Sequence, residues 1–139
     1  MKSIFILSFL AGLALLSACS DNQLDIHSIE RETQAYESAP VQTMNTGELL
    51  EHIQNLAETM TLATQNEQYA EMHHLEIALT KALITLEPQA PAKLKPSIET
   101  LKIIAAKIHG AGHDQNKSMA ATLDTTLKER IAQLLQAFE

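Results

Sequence analysis

Four successive segments carry apolar residues every three or four positions, a rhythm that restricts the chain to helices burying one stripe apiece. Leu49, Ile53, Leu56, Met60 and Ala63 form the first stripe. Met72, Leu75, Leu79, Ala82 or Leu83, and Leu86 form the second, and Ile98, Leu101, Ile104, Ala105 and Ile108 the third. The fourth carries Met119 or Ala120, Leu123, Leu127, Ile131, Leu134 and Phe138. Between the stripes lie residues that start and stop helices. Asn45 or Thr46 can cap the first, with Glu48 and Glu51 near its positive end. Thr64-Gln65-Asn66 reads as a break, and Glu87-Pro88-Gln89-Ala90-Pro91 ends the second helix. Pro96 suits the first turn of the third. Gly110-Ala111-Gly112-His113-Asp114 reads as the clearest turn, because glycine relieves the backbone there.

The two halves match at a constant offset of 48 residues. Glu51 pairs with Glu99, Ala57 with Ala105, Ala63 with Ala111, Leu75 with Leu123, Leu79 with Leu127, and Leu86 with Leu134. Gln65-Asn66 then coincides with His113-Asp114 without a gap. One hairpin alone leaves its stripes half exposed, whereas two packed face to face bury all four. The expected fold is therefore all-α: an antiparallel four-helix bundle over residues 46–139, built from two related helical hairpins.

Charge narrows the partners. The formal net charge is −7, and removing the only charged residue of the first eighteen, Lys2, makes it one unit more negative. Such a surface disfavours nucleic acid and anionic lipid. Nothing resembles a phosphate loop, a haem attachment sequence or a zinc-protease helix. Met44, Met60, Met72 and Met119 at helical spacing read as core filler rather than haem ligands, and no cofactor is expected. No carboxylate pair or nucleophile–base arrangement stands out, so the chain is not expected to be an enzyme.

Histidine is the notable excess, with six in the chain. Imidazole suits Zn, Cu and Ni. His109 and His113, with Asp114 beside them, are the candidate metal ligands, brought together by a flexible turn. His73 and His74 diverge by about 100° on a helix and cannot readily share one ion. Lying deeper along their helix, they are not expected to join the His109–His113 pair. His52 reads as a surface residue and His27 falls in the tether.

The start of the chain has its own logic. Lys2, an apolar run from Ile4 to Leu16 and a small-residue stretch make an export signal too short to span a membrane. Leu16-Ser17-Ala18-Cys19 resembles the lipobox of bacterial lipoproteins. The resemblance implies cleavage after residue 18, a diacylglyceryl group on the Cys19 sulfur and acylation of the new amine. Two or more acyl chains anchor stably where one does not. Ser20 after the cysteine implies, by the same resemblance, the periplasmic side of the outer membrane. Residues 19–45 then read as a lipidated tether, interrupted by Pro40.

Met72-His73-His74-Leu75-Glu76-Ile77-Ala78-Leu79 and Ile108-His109-Gly110-Ala111-Gly112-His113-Asp114 resemble segments of small exported helical proteins accessory to metal or envelope-stress handling. That resemblance implies a non-enzymatic bundle able to hold a divalent cation. The leading expectation is a lipid-anchored envelope protein acting by contact with another envelope protein or a second copy. Leu62, Ile77 and Ile84, off the main stripes, are the candidate contact residues. Weak binding of Zn, Cu or Ni is the alternative.

Overall fold

A capping box starts the first helix in the computed structural model, which describes residues 39–139. The Glu48 amide donates to Asn45 Oδ1 at 3.1 Å, and the Asn45 amide donates to the Glu48 carboxylate at 2.8 Å. This helix, α1, spans Thr46–Gln65, and α2 (Tyr69–Leu86), α3 (Lys95–His113) and α4 (Lys117–Phe138) follow. Short 3-10 turns occupy Val41–Thr43, Glu87–Gln89 and Ala92–Leu94. The segments expected to form an export signal and a tether, with Cys19 and His27, lie outside the described residues as far as residue 38. The described end of that tether joins the bundle earlier than residue 46: Val41 is buried, and Ala39 and Met44 pack against the core.

Each helix packs against the next, and α4 closes back onto α1, which makes an all-α four-helix bundle. The stripes supply its core. Leu49, Ile53, Met60, Met72, Leu79, Leu83, Leu86, Ile98, Leu101, Ile108, Leu127 and Leu134 are all fully buried. Each such side chain contributes about 1.5–3 kcal/mol relative to its exposed state. The fourth stripe enters through Ala120, leaving Met119 half exposed. Leu56, Leu123 and Phe138 are only partly covered.

The offset of 48 seen in the sequence returns in the backbone. α1 ends at Gln65 and α3 at His113, while α2 begins at Tyr69 and α4 at Lys117. Glu67 and Gln115 take the left-handed conformation, with φ of 56° and 49°. The Gln68 amide donates to Ala63 O at 2.9 Å, and the Asn116 amide to Ala111 O at 2.9 Å. The Glu67 amide donates to Thr64 O at 3.2 Å, and the Gln115 amide to Gly112 O at 3.1 Å. Both hairpins therefore reverse through the same Schellman closure, which satisfies carbonyls the helix end would orphan. Cost follows for a non-glycine residue at positive φ, roughly 1–2 kcal/mol, and these hydrogen bonds offset it.

One expectation fails here. Gly110 and Gly112 do not form the turn: neither has positive φ, and α3 runs unbroken through both to His113. The reversal falls at Asp114–Asn116, after the glycines, because the hydrogen-bonded closure and not glycine's freedom sets its place.

Candidate metal centre

The continuous helix changes the histidine geometry. His109 and His113 now sit one turn apart on one face of α3, held by its regular backbone. The first turn of α2 lies beside the last turn of α3, so close that a methyl group at Gly112 would stand 3.5 Å from the Tyr69 carbonyl oxygen. In an antiparallel pair, one turn forward from Tyr69 meets one turn back from His113. Those positions are His73 and His109.

They touch. His73 Nδ1 lies 2.9 Å from His109 Nδ1, with the ring centroids 4.3 Å apart. His113 closes the group, its ring 4.7 Å from that of His109 and 5.6 Å from that of His73. One nitrogen from each of the three lies within 4.8 Å of the others. Two nitrogens held at 2.0–2.1 Å by one tetrahedral ion stand roughly 3.3 Å apart, so modest side-chain rotation suffices for coordination. Exposure rises from His73, 3% accessible, through half-buried His109 to exposed His113. The set opens towards solvent at the hairpin-turn end.

The converging set differs from the expected one. His109 and His113 belong to it, Asp114 does not, and His73 takes the third place. Asp114 is the exposed C-cap of α3, its amide donating to Gly110 O at 3.0 Å. The expectation that His73 stays apart fails as well. His73 is one turn into α2, not two turns beyond a break at Asn66, and His109 is itself one turn down α3. His74 does diverge from the set: it is not among the three imidazoles whose nitrogens converge, and its buried Nε2 has no hydrogen-bond partner. His52 lies near the start of α1 beside Pro40, Met44, Glu48 and Glu51, half-buried rather than on the open surface. Burial there lowers its pKa, favouring the neutral ring.

A carboxylate stands behind the imidazoles. Glu76, one turn after His73 and near its flank of α2, places Oε2 3.1 Å from His109 Nδ1, its side chain 12% exposed. A signal for this residue existed in the His73-x-x-Glu76 spacing, which puts both on one side of a helix.

The repeat makes the site's asymmetry plain. At the offset of 48, Glu76 corresponds to Asp124 and His109 to Thr61. The second seam keeps a corresponding contact with a hydroxyl in place of the imidazole, the Thr61 hydroxyl donating to Asp124 Oδ1 at 3.0 Å. Desolvation pushes the buried Asp124 carboxyl up, while Thr61 and Lys128 oppose that shift. Ala121 and Gln65 stand where His73 and His113 stand on the first seam. The bundle thus carries a carboxylate contact on both seams between hairpins, and imidazoles surround only one.

No family model matches the chain, and no significant match emerges among curated proteins or solved structures.

Proposed function

We propose that the chain is a lipid-anchored, non-enzymatic envelope protein whose bundle binds one divalent transition-metal ion through His73, His109 and His113. The observation that carries this reading is the convergence of three imidazoles from two hairpins, one buried and one open to solvent. Nitrogen donors of this kind favour Zn, Cu and Ni over Mg or Ca, which prefer oxygen. The anchor rests on the lipobox-like Leu16-Ser17-Ala18-Cys19, with the outer membrane as its site.

Calorimetric titration of the full chain in detergent with Zn, Cu and Ni at pH 7 tests the reading. One-to-one binding is expected, with loss on replacing the exposed His113 by Ala and the half-buried His109 by Gln. Circular dichroism should show both variants folded. Stoichiometric binding that survives both substitutions would refute the assigned ligands.

A contact role is the second reading, and specific exposures favour it. Leu62 is 58% and Ile84 55% accessible. Ile84 lies with Ile77 and Thr80 along a shallow groove on α2 that Gln42 also borders. An envelope protein or a second copy of the chain would find apolar purchase there.

A further inference from the structure

We infer that Glu76 is a positioning residue that fixes the tautomer of His109, so that His109 offers its Nε2 to the metal. This inference rests on the metal-binding reading. A carboxylate only accepts hydrogen bonds, so the 3.1 Å contact from Glu76 Oε2 requires a hydrogen on His109 Nδ1. In the metal-free protein His73 Nδ1, 2.9 Å from the same nitrogen, shares that hydrogen as a second acceptor, and the His73 ring turns from this contact to give its Nδ1 to the ion. With Nδ1 protonated, the neutral ring of His109 carries its lone pair on Nε2, the form that ligates from the far side of the ring.

Glu76 is placed to act from behind the ring and not on the ion. Its carboxylate reaches His109, yet it is not one of the groups whose ligand atoms converge mutually within 4.8 Å. A carboxylate that accepts from the remote nitrogen of a metal-bound imidazole holds the ring's orientation and raises its basicity. Low exposure, 12% for the Glu76 side chain, keeps that interaction from being screened away by water.

The duplication supplies an internal control. Thr61 and Asp124 form the corresponding contact on the other seam without any imidazole. A purely architectural carboxylate would serve both seams alike. Removing Asp124 should therefore leave metal affinity unchanged, whereas removing Glu76 should lower it.

The test joins two readouts on the full chain. Long-range proton–nitrogen correlation spectra of the metal-free protein at pH 8 should show His109 as the Nδ1–H tautomer. In E76A that preference should fall, and E76Q, which keeps an acceptor oxygen, should restore it. Competition titration with Zn should then show roughly tenfold or greater weakening in E76A and a smaller loss in E76Q. D124N should match the wild type. Wild-type affinity in E76A, or the Nε2–H tautomer in the wild type, would overturn the inference. So would a Co(II) spectrum showing that E76A loses a direct ligand, which would place Glu76 on the ion. If the wild type binds no ion, the metal reading fails, and the tautomer still decides the role of Glu76.

Discussion

Replacing Gly110 by Ala should stabilise the protein, and the reason bears directly on the metal site. Gly110 is helical in α3, and its position would admit a methyl group without meeting any atom within 4 Å. Glycine in a helix interior costs about 0.8–1 kcal/mol relative to alanine, chiefly through the backbone freedom it loses on folding. Gly110 lies in the last turn, where fraying trims the gain, so about 0.5–1 kcal/mol is expected. For a bundle of this size that raises the melting temperature by roughly 2–8 °C.

The assay is thermal unfolding followed by circular dichroism, with a chelator in excess so that no ion contributes. Gly110 sits between His109 and His113, so the same substitution should stiffen the backbone that spaces the two rings. Affinity for Zn should hold or tighten in G110A. An unchanged or lower melting temperature would refute the reasoning. It would mean that the segment leaves the helix in solution, and with it the geometry that brings His109 and His113 to one face.

Two further outcomes follow from other seams of the bundle. Asp124 has its folded pKa raised by burial, so the protonated form favours the fold. That contribution is complete below the unfolded value, about pH 4, and is lost as pH rises through the folded value. Asp124→Asn keeps an acceptor for the Thr61 hydroxyl and carries no charge, so it should be more stable than the wild type at pH 7. The difference should close in acid, and equal chemical-denaturation midpoints at pH 7 would contradict the assignment. Ile84→Glu should change stability by no more than about 0.5 kcal/mol, since the residue is exposed. If α2 carries a contact surface, the same change should abolish crosslinks formed from that face in whole cells; crosslinks that persist would remove the contact reading.

Much of the fold was legible because burial imposes its period on the residues. Ile98, Leu101, Ile104, Ala105 and Ile108 follow that period, and all five are buried. Asn45 announced the first helix because capping is local chemistry. The turn at the end of α3 is not set by its glycines. Glycine marks where a chain is permitted to turn, but the reversal is made by the left-handed Gln115 and the hydrogen bonds around it. The corresponding Glu67 does the same with no glycine nearby. Two members of the candidate site, His109 and His113, were visible in the sequence as a spacing of four. His73 was not, because its place depends on the register between α2 and α3. That register is a tertiary quantity, fixed by core packing and by the approach of Gly112 to Tyr69.

The same register decides what an ion at this site would do to the bundle. His73 belongs to the first hairpin, and His109 and His113 to the second. An ion held by all three therefore closes a seam between hairpins, at the end opposite the Glu87–Leu94 connection that joins them covalently. Binding and hairpin association are then thermodynamically linked: an ion that prefers the closed seam stabilises it by its binding free energy. At one hundred times the dissociation constant, that is about 2.7 kcal/mol. The α4–α1 seam has no such closure, since Ala121 and Gln65 replace the imidazoles there. Metal should therefore protect the amides of α2 and α3 around His73 and His109 more than those around Asp124. The repeat pairs the two seams position for position, and an ion held by the histidines would make their energetics unequal.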